Sequence, residues 1–480
     1  MTASSPPPLG LGTKVLYGFG STAYGVKDVA FRTFLLIYYN QVIGVPADVV
    51  SFAILLALVV DAISDPIVGQ FSDNLKTRWG RRHPLIYASA VPAALSFWAL
   101  FHPPSGLSDT GMFAWILGVS IAVRTLITFY EIPSSSLAPE LADDYNERTR
   151  IASFRYFFGM VGALGMAFAT LYIFLKPTPE YPVGQLNPAG YATFALVGAI
   201  VMASSIIISA MATHHRIPYL RTGTGGTRAV GLFGHFRQMK EAWSNRGFLA
   251  ILAFGLLKFT MVGLASALAL YFGTYFWGLS SAQLAVLTLD GILAAAIAVA
   301  LAPRLSAGIG KRNGAILLSF MLIAFGVLPY ALAFTGLFFE KGSNALVAGL
   351  FAIQTLYSVA GVTSMVLVHA MIADVVEDQE LKTGRRSEGL FYAAHSFLQK
   401  CVSGAGVFLA GLMLKQVGLR EKVPPSQLAP EVPEALVFLY LPVFALGTAA
   451  AAAMLLFYRL DRAGHEANLE RLRARTAPAE

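Results

Sequence analysis

Charge is scarce in this chain. Only 13% of its 480 residues are Asp, Glu, Lys or Arg, while 56% are hydrophobic. Soluble domains carry about 25% charged residues, so half that, with long apolar runs throughout, excludes an ordinary soluble domain. Cysteine is scarcer still. Cys401 alone excludes an intramolecular disulfide and a cysteine-based zinc cluster. Catalytic constellations are missing as well: no GxxxxGK[ST] phosphate loop, no nucleophile–His–acid grouping outside the apolar runs, and no His spacing suited to a metal. His214 and His215 are neighbours in a polar loop, which suits solvation better than chelation. The chain reads as a non-enzyme that needs no organic cofactor. Its first residues, MTASSPPPLGLG, lack the basic start, short apolar core and cleavage site of a signal peptide and read as a disordered cytoplasmic tail.

What is present is hydrophobic length. A helix that crosses a bilayer needs about 20 apolar residues. That ruler finds twelve spans: 14–41, 47–72, 85–103, 110–137, 151–175, 189–212, 248–276, 283–303, 315–336, 345–371, 389–416 and 434–458. The expected fold class is an all-α membrane protein. Its organisation is a tail 1–13, a six-helix bundle 14–212, a linker 213–247, a second bundle 248–458 and a tail 459–480. The linker holds Gly223, Gly225 and Gly226; its GTGG has neither a GK[ST] ending nor a preceding strand, and reads as a tether.

The formal charge of +8 raises nucleic acid as a partner, and the placement of the cations argues against it. Six lie inside spans: Lys27, Arg32, Arg124, Arg155, Lys258 and Lys400. Five lie on the alternate, outer side: Lys176, Lys341, Lys415 at the end of its span, Arg420 and Lys422. Of the remaining 24 of 35, Lys14 opens the first span and the rest fall in the tails and in loops 73–84, 138–150, 213–247, 304–314 and 372–388. This is the positive-inside pattern, and it sets both tails and those loops in the cytoplasm of a cell-membrane protein.

The second span carries the sharpest chemistry. In LLALVVDAISDPIVGQFSDNLKTRWGRRHP (55–84), Asp61 and Asp65 stand four residues apart in an apolar run. On a helix that spacing places both on one face, with Cβ atoms about 5–6 Å apart. Each uncompensated charge near the bilayer centre costs about 2.5–3.5 kcal/mol. Two acids on one face therefore call for a cation between them or cationic partners, here Lys400 or Arg155. The run leaves through Asp73 into Lys76, Arg78, Arg81 and Arg82.

The two halves echo each other. LTLDGILAAAIAVALAPRLSAGIGKR aligns Asp290 and Lys311 with Asp61 and Arg81, and IADVVEDQELKTGRRSEGLFY resembles PELADDYNERTRIASFRYFFG. Parallel six-span repeats build the major facilitator fold, with the solute site midway between halves. Asp290 and Lys258 read as structural pairing partners, and Gly159, Gly162 and Gly165 as positions of close helix packing.

Five stretches together resemble the glycoside–pentoside–hexuronide:cation symporters, the melibiose-permease-like branch of the major facilitator superfamily. They are YGFGSTAYGVKD (17–28), DAISDPIVG (61–69), RWGRRHP (78–84), YEIPSSSLAPEL (130–141) and ADVVEDQELKTGRRSEG (373–389). The resemblance implies a transporter that couples a cation, Na+ or H+, to uptake of a small solute by alternating access. It implies Asp61 and Asp65 as the cation-binding carboxylates, hence the metal ligands if the ion is sodium, with Ser64 and Thr128 as further oxygen ligands. Lys27, Asp28, Glu131, Arg155 and Lys400 match positions lining the sugar and coupling region, and Tyr24, with Tyr17 and Tyr130, is a candidate solute contact. Asp73, Arg78, Arg81 and Arg82 match the cytoplasmic loop motif, whose bridges hold one access state; Asp374, Glu377, Asp378, Arg385, Arg386 and Glu388 read the same way.

Departures from the family are specific. Glu131 stands where melibiose permease has Asp, Ser135 replaces a stacking Trp, and Leu58 occupies a position where the family often has Arg. A sugar or glycoside is the expected solute. An amphipathic or lysolipid-like solute on the same fold is the alternative, and a non-transporting sensor the third reading. The remaining expected partners are the coupling ion and the lipid bilayer, with no nucleic acid and a monomeric chain.

Overall fold

The structure is a computed structural model that describes residues 9–142, 144–220, 245–383 and 388–458. The expected linker falls largely outside the described residues, as do most of both tails, Arg385 and Arg386.

Every regular element among the described residues is helical. Among the described residues ten helices are long and apolar enough to cross a membrane, and the apolar helix Val402–Gln416 lies within a further one, Glu388–Gln416. The opening helical run, 11–43, completes twelve. Span 1 is irregular. Leu11–Phe19 and Thr22–Val29 are followed by π-helical turns at Ala30–Phe34 and Tyr38–Ile43, and Gly44 ends the run at φ 92°, a left-handed conformation that favours glycine. Spans 2 to 6 are Ala47–Asn74, His83–Leu100, Asp109–Leu141, Tyr145–Ala169 and Pro188–His214. Spans 7 to 12 are Arg246–Tyr271, Ser281–Ile309, Lys311–Phe334, Asn344–Thr383, Glu388–Gln416 and Glu431–Met454.

Side chains set several of the starts. Ser108 Oγ accepts from the Gly111 amide, Asp144 from Glu147, and Asn245 from Gly247 and Phe248, each satisfying donors that the first helical turn leaves without partners. Helix ends overrun the sequence expectation. Residues 138–141 and 372–383 are helix rather than loop. A 20-residue apolar ruler sees only the part of a helix that lipid covers; the polar turns DVVEDQELKT continue span 10 beyond it.

The helices form two compact units. The first holds spans 1–6 with Ser280–Ala285 and Arg420–Ser426, and the second holds the rest of spans 7–12. Within each unit the same pair of helices crosses on glycine. A Cβ added at Gly25 would overlap the Gly159 carbonyl, and one at Gly162 would lie 2.7 Å from the Thr22 carbonyl. In the second unit Gly263 meets Ser403 and Gly406 meets Thr260 in the same way. Of the three glycines expected to pack closely, Gly162 abuts span 1 tightly, Gly159 makes ordinary contact with Ser21, and Gly165 faces open space. Large apolar side chains such as Leu95, Val299 and Leu446 stay exposed, the surface a helix presents to acyl chains.

Candidate functional site

The carboxylates of span 2 face span 4. Asp61 is 2% exposed. Its Oδ2 accepts from Arg124 Nη2 at 2.7 Å, and its Oδ1 accepts from Thr128 Oγ1 at 3.0 Å. The same hydroxyl lies 3.0 Å from Asp65 Oδ1. Arg124 and Thr128 are one helical turn apart, so a single face of span 4 meets both acids. Arg124 also lies over the Phe31 ring, 5.2 Å from its centroid, while its Nε has no partner among the described residues.

Thr128 has one proton and faces two carboxylate oxygens. It cannot donate to both. A proton or cation joining the oxygens would satisfy both at once. The Ser64 hydroxyl donates to the Asp61 carbonyl of its own helix at 2.9 Å. Pro66 follows Asp65 directly and removes one helical N–H, which leaves a carbonyl on that turn to be satisfied inside protein.

A second cluster joins spans 1, 4 and 5. Arg155 is inward-facing, not snorkelled to an interface. Its Nη2 donates to Glu131 Oε1 at 2.9 Å, and its Nη1 to Ser134 Oγ at 2.5 Å and Tyr17 Oη at 3.1 Å. Tyr17 in turn donates to the Ser134 carbonyl. Glu131 Oε2 is a buried polar atom without a partner among the described residues, and the buried Tyr130 hydroxyl lies beside Ser134. Lys27 is 4% exposed with its ammonium 4.1 Å from the Tyr24 ring centroid. Asp28 pairs with Arg32 of its own helix at 3.7 Å, and the Tyr24 hydroxyl lies in the field of Asp28, Glu131, Arg32 and Arg124. Ser135 donates to the Ile132 carbonyl and supplies no platform.

At the helix ends that carry the basic loops, each unit has an ion-pair cluster. Glu140 Oε1, at the end of span 4, accepts from Arg81 Nη2 at 2.5 Å and from Arg82 Nη2 at 2.6 Å and Nε at 3.0 Å. Asp73 stands farther off, 3.4 Å from Arg82 and 3.9 Å from Arg81, and Arg78 lies over Trp79. In the second unit Lys311 grips both oxygens of Asp374 at 2.6 and 2.8 Å. Asp378 accepts from Asn245 at 3.2 Å.

Sequence reasoning missed two partners. In the sequence Arg124 stands out only as a cation inside a span, although its i, i+4 relation to Thr128 is there to see. Glu140 is marked by nothing beyond its place in YEIPSSSLAPEL. Asp61 meets Arg124, which supplies the counter-charge that Leu58 does not, and Arg155 meets Glu131. Asp290 and Lys258 bond separately: Asp290 to Ser358, Lys258 to Ser364 at 2.9 Å and the Gly361 carbonyl at 3.5 Å. Lys400 lies on span 11, with its side chain outside the described residues. Among the described residues no group of three or more His, Cys, Asp or Glu is gathered as for a metal ion. The structure gathers oxygens of Asp61, Asp65 and Thr128, the donor type a hard monovalent ion prefers, while the expected fourth ligand, the Ser64 hydroxyl, bonds its own helix.

Residues 16–462 match a family described as MFS/sugar transport protein. The chain is 26% identical to an uncharacterized symporter of Synechocystis sp., with 96% of each chain covered. It is 27% identical to the isoprimeverose transporter of Lactiplantibacillus pentosus, covering 93% of this chain and 88% of that one. Among solved structures, the inward-open xylose transporter XylE from E. coli is similar in fold, with a TM-score of 0.64 at 13% identity over 96% of this chain and 99% of that one.

Proposed function

The chain belongs to the MFS/sugar transport protein family, a family of membrane transporters and not enzymes, and on that premise we propose that it is a symporter taking up a sugar or glycoside with a monovalent cation, H+ or Na+. The observation that carries the coupling site is Thr128, whose one hydroxyl proton faces a carboxylate oxygen of both Asp61 and Asp65. The relatives support the cargo: one is named a symporter and one an isoprimeverose transporter.

Glu131 Oε2, buried without a partner among the described residues, is a group that solute hydroxyls complete, with Arg155 orienting Glu131 and Lys27, Asp28 and Tyr24 nearby on span 1. Coupling is reciprocal affinity, in which cation and solute each favour binding of the other. The membrane potential supplies about 2.3 kcal/mol per charge per 100 mV, so no nucleotide is needed. The chain would work by alternating access in the cell membrane, as a monomer with the basic loops cytoplasmic.

Counterflow in proteoliposomes tests this, using sugars, glycosides, uronides and lysolipids, with and without sodium and a pH gradient. The expected result is exchange of a sugar or glycoside, accelerated by one cation. Exchange confined to lysolipids, or a cation-independent exchange, would overturn it.

A further inference from the structure

The repeat that relates the halves reaches the polar interior. Asp61 of span 2 is met by Arg124 and Thr128, four residues apart on span 4. Asp290 of span 8 is met by Gln354 and Ser358, four residues apart on span 10. The ion-pair clusters at the basic-loop ends repeat likewise, Arg81 and Arg82 on Glu140 in one unit and Lys311 on Asp374 in the other. Asp290 is therefore the counterpart of Asp61, and Gln354 stands where the first half has a guanidinium.

That exchange alters the electrostatics. Asp290 is 6% exposed and sits where span 8 breaks: Ser281–Leu287 ends, two turn residues follow, and helix resumes at Asp290. Everything that bonds its carboxylate is neutral: the Ser358 hydroxyl, the Gln354 carboxamide and the Gly291 amide. Among the described residues no Lys, Arg or His pairs with it. The nearby cations that the structure describes are engaged elsewhere: Lys258 of span 7 by Ser364 and the Gly361 carbonyl, Lys311 by Asp374, Arg312 by the Tyr458 carbonyl at 3.1 Å, and Arg304 of span 8 itself by the Ala300 carbonyl at 2.7 Å. In the apolar part of span 10, His369 turns to the Met365 carbonyl and Tyr357 packs on Phe444; span 9 offers Tyr330, packed against Phe272. A carboxylate inside a membrane span without a cation is costly, and the first half meets that cost with Arg124.

We propose that Asp290, Gln354 and Ser358 form a second site for an exchangeable monovalent cation, proton or sodium, in the C-terminal half. Carboxylate, carboxamide and hydroxyl are the oxygen donors a hard cation prefers, and a proton on the carboxyl neutralises the same charge. The first half holds part of its positive charge permanently as Arg124; the second takes all of it from solution. The site's part in a transport cycle rests on the symport reading, whereas cation binding does not.

Thermal unfolding of the purified chain in detergent separates the two. Tm is followed across NaCl titrations and, in a second arm, across buffers of falling pH. The Asp61→Asn variant is expected to keep a cation-dependent rise in Tm, because a ligand that binds only the folded state stabilises it. Adding Asp290→Asn should remove the remaining rise, with cation affinity lowered about tenfold or more. Should that double variant not fold, Asp61→Asn with Gln354→Arg places a guanidinium opposite Asp290 and is expected to remove the same rise. The arm that responds, sodium or pH, names the ion. A rise unchanged by either second substitution, or no rise in Asp61→Asn itself, overturns the proposal. A wild-type chain that fails in counterflow would sink symport and leave these shifts standing.

Discussion

Arg124 and Asp61 form an ion pair of 2.7 Å in which the guanidinium side chain is 5% and the carboxylate 2% exposed. Removing one partner of such a pair leaves the other charge buried alone, at a cost of about 3–5 kcal/mol. Asp61→Asn and Arg124→Gln are each expected to lower Tm markedly, and Asp61→Asn with Arg124→Gln to recover most of the loss without recovering coupled uptake. Additive losses in the double variant would show that the pair is not the source of the effect.

Thr128 bridges the two acids, so its hydroxyl should govern cation affinity more than maximal rate. A hydrogen bond to a charged group is worth about 1.5–3 kcal/mol, which is about tenfold to a hundredfold in affinity. Thr128→Val should weaken cation activation of uptake by that factor and leave the rate at saturating cation nearly intact. Asp65→Asn should abolish cation dependence. Initial uptake rates against cation concentration decide it, and a Thr128→Val variant with unchanged half-saturation would refute the bridging role.

Much of this was legible before any coordinates. Twelve apolar runs, the repeat and the paired acids of span 2 follow from hydropathy and spacing, because lipid imposes apolar length and a helix imposes i, i+4 faces. The partners were harder. Arg124 reads as a topological oddity until span 4 is docked on span 2, and no local pattern ties it to Asp61, 63 residues away. Glu140 looks like one acid of the acidic run PELADD. Gln354 and Ser358 are neutral and draw no notice in an apolar helix, although they become the neighbours of Asp290. Arg155 could equally have snorkelled; only the crossing of spans 1, 4 and 5 turns it inward onto Glu131.

Arg155 makes three donor contacts from one planar fork, to Glu131, Ser134 and Tyr17. A lysine presents a compact ammonium that cannot reproduce that geometry. Arg155→Lys should therefore keep the charge and still lose about tenfold or more in solute affinity, read as half-saturation in counterflow. Glu131→Asp, one methylene shorter, should lose less. Equal affinities for Arg155→Lys and wild type would place the solute elsewhere.

The clamps at Glu140 and Asp374 lie far from the carboxylates of the spans. Thr128 to Glu140 is twelve residues of helix, about 18 Å at 1.5 Å per residue, so neither group touches what the other binds. Their loss should act on the conformational step and spare binding. Glu140→Gln leaves Arg81 and Arg82 facing each other across a neutral group, and Asp374→Asn releases Lys311. Each is expected to lower the maximal uptake rate severalfold while half-saturation for solute and cation stays the same. Asp73, more than half exposed and at longer range, belongs with surface pairs worth about 0–1 kcal/mol, so Asp73→Asn should do less than Glu140→Gln. The exchange Lys311→Asp with Asp374→Lys restores a pair of opposite sign order and should recover rate that either single change loses. Rates that stay low in the exchanged variant, or half-saturation values that move with the rates, would mean these side chains shape the binding region and do not serve as clamps.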